Sequence, residues 1–442
     1  MSDSKKIKVV YNWIGPVGPT DNNYLPNVFS FAQAFDDTNH YRPQWNADWT
    51  WKDFFAHDSE NFEICPSVSI RENDDSLFIF PVSLSWRNIT KTYFFKNLGI
   101  FEISRTPANI LNNIKHNNGY VVIDFSGEGN GISTIDFDHM HSYFAYHNIP
   151  LRKIIYVTGA LNSAELYAEY CSRRGIAESD TNRMNLIPYV KYSRLPEIKT
   201  EPYYDAEYVP EKIFLSWNKR ARKHRFDLAL LLEKHNLVDK SYVSFNKINE
   251  ETGLEFEEAY NILGKENSTV LEITPEVISG FVSKLPLVLD GETNLNKIMS
   301  TNLESTTRSF YQNSLISLVA ETFFYENEVF LTEKSFKQIR EKHPFIIAGG
   351  VGSLKHMRDF GFKTFSDFWD ESYDDCKSPV ERMQRIEILI NTIGQWTPEQ
   401  ILDFKRKAKP IIEYNFKVLE TGLAKRLLQR SLTKINDVVT AI

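Results

Sequence analysis

The feature that most constrains this chain is a rhythm that runs through it twice. In the first half, short apolar or β-branched runs alternate with helical spacings. Strands are expected over Ile7 to Trp13, Leu77 to Leu84, Tyr120 to Phe125, Lys153 to Val157 and Leu186 to Val190. Helices are expected after Thr106-Pro107, over Asp136 to His147, and from Asn162, a cap residue, to Gly175. Strand–helix alternation of this kind builds a parallel sheet with covered faces.

The rhythm stops at residues 194–212, where Pro196, Pro202 and Pro210 stand among polar turn residues. This stretch is read as a linker. The alternation then restarts. Ile213 to Trp217, Tyr242 to Phe245, Leu287 to Leu289, Leu315 to Ala320 and Phe345 to Ala348 are the expected strands. Thr332 and Ser353 are expected helix caps, and Pro398 to Val439 is helical with a break near Pro410. The organisation read from the chain is therefore 1–193 as one Rossmann-like domain, 194–212 as linker, 213–395 as a second, and 396–442 as a helical tail. A length of 442 residues agrees with more than one core.

Composition excludes several classes. The net charge of −7 provides no global field for a polyanion, so a nucleic acid would have to be met by local cations such as Arg105, Lys115, Arg173 and Arg174. Three dispersed cysteines, Cys65, Cys171 and Cys376, offer neither a disulfide framework nor a metal spacing. No apolar run reaches membrane-spanning length and no secretory leader is evident, so a cytoplasmic location is expected.

Three segments carry chemistry. In Phe214-Leu215-Ser216-Trp217-Asn218-Lys219-Arg220-Ala221-Arg222-Lys223-His224-Arg225, a strand feeds a cationic loop and a helix start. Strand C-termini in open α/β sheets face the ligand crevice, and helix N-termini favour anions, so Asn218, Arg220 and Arg222 are candidates for a phosphate site. Such a basic helix start also reads as a solvated surface. In the second segment a strand ends at Glu321, and Thr332-Glu333-Lys334 opens a helix. A carboxylate there can accept ribose hydroxyls and an ammonium can neutralise a diphosphate. Dipole preference alone also explains a glutamate in a first turn. The third is the glycine-rich turn after Phe345 to Ala348, Gly349-Gly350-Val351-Gly352. It lacks both the dinucleotide fingerprint and the lysine of a P-loop.

Taken in order, these segments resemble the donor-binding region of the α-1,3-fucosyltransferase family, over Ile213 to about Phe365. The resemblance implies the GT-B fold, an α/β architecture of two facing Rossmann-like domains with a terminal helix crossing back. It also implies a UDP- or GDP-sugar donor. Arg220 or Arg222 would contact the diphosphate, with Glu321, Thr332, Glu333 and Lys334 completing the site. Residues 1–190 show no resemblance to that family's acceptor domain. The texture of the whole chain is similar to glycosyltransferases of large tailed phages, some of which decorate hydroxymethylated cytosine in DNA.

The activity so implied is inverting, metal-independent sugar transfer to an acceptor hydroxyl. The best acceptor reading is 5-hydroxymethylcytosine in DNA, receiving for example a glucosyl or arabinosyl group. The alternatives are a glycan- or lipopolysaccharide-directed fucosyltransferase-like enzyme and a non-catalytic nucleotide-sugar-binding module. The base is expected at a strand end of the first domain, with Asp124 and Glu128 leading and Asp21 third. Trp45, Trp49 and Trp51 read either as a stacking surface or as core. His57, His139 and His141 read as structural or solvated. Oligomeric state is open.

Overall fold

The computed structural model describes residues 6–11, 55, 58–66, 69–72, 75–83, 108–127, 129, 132–177, 182–193, 195, 200–218, 220, 222–249, 253–264, 270–289 and 304–441. The chain divides into two units, Met1–Lys191 with Ala424–Ile442, and Tyr192–Leu423.

Unit 1 carries β1 (Ile7–Tyr11), β2 (Phe62–Pro66), β3 (Phe78–Ser83), α1 (Ala108–His116), β4 (Gly119–Phe125), α2 (Thr134–Tyr146), β5 (Ile154–Thr158), α3 (Ser163–Arg173) and β6 (Asn185–Pro188). Its sheet runs β2-β1-β3-β4-β5-β6, and every pairing is parallel. Strand β2 was not expected. Its sequence, Phe-Glu-Ile-Cys-Pro, is short and ends in proline.

Unit 2 carries β7 (Lys212–Trp217), α4 (Lys223–Lys234), β8 (Ser241–Ser244), α5 (Phe256–Leu263), α6 (Pro275–Ser283), α7 (Glu304–Gln312), β9 (Ser314–Ala320), α8 (Glu333–Arg340), β10 (Phe345–Ala348), α9 (Ser353–Asp359), α10 (Pro379–Gly394) and α11 (Pro398–Glu420). Its sheet runs β10-β9-β7-β8, again all parallel. The α/β reading with parallel sheets is thus the architecture of both units. Leu287 forms only an isolated antiparallel bridge to Phe245 and no strand.

Period-two alternation sorts the unit 1 strands between two faces. Val121, Ile123 and Phe125 pack with Ile110, Phe137, Met140 and Tyr167 from α1, α2 and α3. Tyr120 and Val122 point the other way. That second face is covered by α12 (Leu423–Thr440), the last helix of the chain. Leu428, Leu432, Ile435 and Val439 recur at helical spacing and pack against Val9, Ile79, Val122, Ile155 and Ile187. Full burial of such a side chain is worth about 1.5–3 kcal/mol, so this stripe contributes a large part of unit 1's stability. The break in the helical tail lies at Thr421-Gly422, where Gly422 has φ 90°, and not at Pro410, which sits inside α11.

In unit 2 the described part of the segment read as linker, residues 200–212, is docked through several side chains. Lys342 bridges Glu201 and Glu413 at 2.5 and 2.6 Å, Lys405 donates to the carbonyl of Tyr208, and Arg406 forks onto Glu207. Behind β9, buried His343 bonds Ser317 Oγ through Nδ1 at 2.8 Å and the Ser314 carbonyl through Nε2 at 3.0 Å. Burial is the main reason its pKa falls to about 4.

Two outcomes follow from this packing. Leu432→Ala should destabilise unit 1 by about 2–5 kcal/mol in urea unfolding, since Leu432 is fully buried. For His343 the folded pKa is about 4 against 6.5 unfolded, so within that window the unfolded chain binds the extra proton. Stability of unit 2 should therefore drop as pH falls from 6.5 to 4, and His343→Gln should flatten that slope in pH-dependent unfolding.

Candidate functional site

The order of the unit 2 strands fixes where a crevice forms. From β7 the chain goes to β8 on one side, and then returns to place β9 on the other. The direction of winding reverses between β7 and β9, and ligands of open α/β sheets bind outside the strand C-termini at such a switch point. The loops leaving β7 and β9 are the two segments that carry Asn218, Arg220 and Arg222 on one side and Glu321 to Lys334 on the other.

The loop after β9 is held at its ends by one carboxylate. Glu321 is fully buried, and its oxygens accept from Thr332 N at 2.9 Å, Thr332 Oγ1 at 2.7 Å, Ser335 Oγ at 2.6 Å and Thr322 N at 3.1 Å. A buried acid needs such donors, because desolvation without them costs several kcal/mol. Thr332 caps α8, its Oγ1 accepting from Lys334 N at 3.4 Å. Lys334 Nζ reaches Thr332 Oγ1 at 3.0 Å and Glu333 Oε1 at 3.1 Å. Burial alone would raise the Glu333 pKa, but the Lys334 ammonium and hydrogen bonding hold it below its ordinary value. Both Glu333 and Lys334 stay partly exposed.

The middle of the loop is anchored from elsewhere. Buried Arg382 on α10 donates to the carbonyls of Phe324 and Cys376, and its guanidinium lies over the Phe324 ring. A Cβ on Gly350 would stand 2.4 Å from the Glu328 carbonyl oxygen. The glycine-rich turn is therefore required by backbone against backbone within the protein. Ser353 is not the cap of α9, as its hydroxyl donates to the Gly350 carbonyl. Asp374 supplies the cap, accepting from Leu354 N and Lys355 N at 2.9 Å each.

On the other side of the crevice, Asn218 is buried and held by Ser216 and Ser244, while Arg220 and Arg222 are partly exposed at the start of α4. Both arginines, with Glu321 and Glu333, act electrostatically on Arg225, and Arg222 and Lys334 act on His224. The cationic loop and the Glu333–Lys334 pair thus lie in one electrostatic neighbourhood, while Glu321 sits beneath it. Two residues were passed over in the sequence. Buried His224 donates from Nε2 to the Glu321 carbonyl at 2.7 Å, and burial and Arg225 hold its pKa well below the ordinary value, so the ring is neutral. Arg225 is buried beside it. The available signal was position, since α4 is buried nearly all round and its first turns carry His224, Arg225 and Asp227 among apolar residues.

In unit 1 the switch point falls between β1 and β3. The loops that leave those strands, with Asp21, Trp45, Trp49, Trp51 and Arg105, lie outside the described residues, as do His57 and Glu128. Asp124, one residue before the end of β4, is buried, and its Oδ1 accepts from Ser126 N at 2.9 Å. His141 bonds the Tyr167 hydroxyl at 2.8 Å. A cavity of about 410 Å³ opens beside β6, lined by Tyr167, Arg183, Leu186 and Lys434, rather than at the ends of β1 or β3. Among the described residues no helix is long and apolar enough to cross a membrane, and no cluster of three potential metal ligands occurs.

The Glu321 node gives a direct test. Glu321→Gln replaces one acceptor oxygen by a donor that faces hydroxyl and amide donors. Unfolding stability should fall by about 1.5–3 kcal/mol, measured by urea titration.

No family model matches the chain, and no curated protein matches it. Among solved structures it is similar to a sucrose-phosphate synthase from Thermosynechococcus elongatus, with TM-score 0.45 and 8% identity over 99% of this chain and 100% of that one. It is similar to the N-terminal domain of Candida albicans trehalose-6-phosphate phosphatase, with TM-score 0.41 and 9% identity over 84% and 71%. It is similar to the lipopolysaccharide outer core galactosyltransferase WaaB in its apo form, with TM-score 0.33 and 10% identity over 94% and 99%. At these scores the reading of the fold rests on this chain's own sheets.

Proposed function

We propose that this protein is a glycosyltransferase of GT-B type, with the nucleotide-diphosphate sugar held in the crevice between β7 and β9. The observation that carries the reading is the placement of Arg220, Arg222 and Lys334 at one switch point, beside the carboxylate of Glu333. Departure of a nucleoside diphosphate leaves negative charge on its oxygens, and fixed cations lower the energy of that transition state. Glu333 is suited to accept a ribose hydroxyl, and Glu321 to hold the loop that presents it. Cations supplied by side chains make a metal unnecessary in this scheme. Transfer needs a base to deprotonate the acceptor hydroxyl, and that role is assigned to unit 1, where Asp124, Glu128 and Asp21 are the candidates.

For the acceptor, a hydroxymethylated base in DNA is the first reading, on the resemblance to phage enzymes. A glycan is the second, and two observations favour it. Arg173 and Arg174 are already engaged, with Glu169 and Asp138, and the net charge is −7. Duplex binding that weakens steeply with salt separates the two.

UDP, GDP and their sugars should be screened by thermal shift. At least one should raise the melting temperature, and Lys334→Gln should weaken it about 10-fold or more, as expected for a charge-assisted bond to phosphate. If no nucleotide or nucleotide sugar stabilises the protein, the donor assignment falls.

A further inference from the structure

Strand β6 is an edge of the unit 1 sheet and pairs with β5 alone. Successive residues of a strand turn their N–H and carbonyl to opposite sides. Tyr189 N donates to the Thr158 carbonyl at 2.8 Å, so the backbone groups of Asn185 and Ile187 also serve β5, and those of Met184, Leu186 and Pro188 point out of the sheet. An open edge invites pairing, and here the outward donors are closed at two of three places. The Tyr167 hydroxyl accepts from Met184 N at 2.9 Å. Pro188 has no N–H, and its carbonyl accepts from Ser431 Oγ at 3.2 Å. Leu186 lies between them, and among the described residues neither its N–H nor its carbonyl has a partner.

The cavity of about 410 Å³ opens at that residue. Helix α3 covers one face of the sheet and α12 the other, and the cavity lies between them with Leu186 in its lining. Ligand sites commonly span about 300–1,000 Å³, so this one is large enough. Ala164 and Ala168, one turn apart on α3, and Val438 on α12 keep its walls small and apolar. Arg183 and Lys434 line it as cations, and Asp437 is the one acid of the lining. Lys434 is half-buried and makes no ion pair among the described residues. Burial and Arg430 lower its pKa against the pull of Glu165.

We propose that this groove is a docking site for the free carboxy-terminal end of an extended polypeptide. One guest residue pairs with Leu186, its N–H donating to the Leu186 carbonyl and its carbonyl accepting from the Leu186 N–H. The terminal carboxylate lies against Lys434 and Arg183, where cations outnumber the single acid. A strand passing through would need open places on both sides of Leu186. Tyr167 and Pro188 close them, so a chain end fits where a longer strand does not. Small apolar guest side chains match Ala164, Ala168 and Val438. The site belongs to unit 1 alone and does not rest on the donor reading.

The test is calorimetry and thermal shift on the full chain with acetylated alanyl-alanyl-valine, as the free acid and as its carboxamide. The acid should bind about 10-fold or more tighter than the carboxamide, as expected when a charge-assisted bond is lost. Lys434→Gln should remove most of that preference. Leu186→Pro deletes the outward N–H without touching the hydrogen bonds to β5, and should weaken the acid about 10-fold or more. Leu186→Ala should retain binding, which separates the lost donor from the lost side chain. Ala168→Phe, at an exposed position, should block the groove and leave the melting temperature of the free protein unchanged. It keeps the test decisive if Leu186→Pro does not fold. No binding of the acid at millimolar concentration, equal binding of acid and carboxamide, or full binding by either Leu186→Pro or Ala168→Phe overturns the proposal. Equal affinity for N-acetylvaline overturns a polypeptide partner in favour of a small N-acyl acid.

Discussion

Everything in the unit 2 crevice depends on one carboxylate placed where water cannot reach it. Glu321 closes β9 inside the protein, and four donors from the following loop and helix converge on it. Two of these come from Thr332 and one from Ser335, so the acid sets the point at which α8 begins. The start of α8 in turn sets where Glu333 and Lys334 stand. A residue that touches no solvent thus decides the geometry of two that do.

The same loop is fixed at its centre by other means. Arg382 reaches from α10 to the Phe324 carbonyl, and the bare backbone of Gly350 leaves room for the Glu328 carbonyl. A loop tied at both ends and at the middle is preorganised, which is what electrostatic stabilisation of a leaving group requires. Glu321 and Arg225 are bonded differently. Glu321 is saturated with donors, whereas Arg225 bonds only carbonyl oxygens and keeps an idle Nε.

Periodicity made much of this legible. The strands from β3 to β10 lie close to the apolar runs, and Thr332 caps α8 as its place before Glu333-Lys334 suggests. What local pattern missed was set by distant partners. Strand β2 is recognisable only by its pairing with β1. The cap of α9 comes from Asp374, some twenty residues downstream, and not from the adjacent Ser353. Pro410 reads as a break, yet α11 runs through it. At the crevice, spacing gave the exposed cations, because a strand followed by a basic loop is visible in one dimension. It could not distinguish Arg225 from its neighbours, since burial is a property of the folded surroundings.

The cover that α12 lays over the unit 1 sheet has a consequence for synthesis. Strands β1 to β6 leave the ribosome before unit 2, but the apolar stripe that shields one side of them lies on Leu423–Thr440, after it. Unit 2 has all its strands in hand before that stripe emerges. The half translated earlier is therefore the half completed later, and one face of its sheet stays uncovered until α12 has been made.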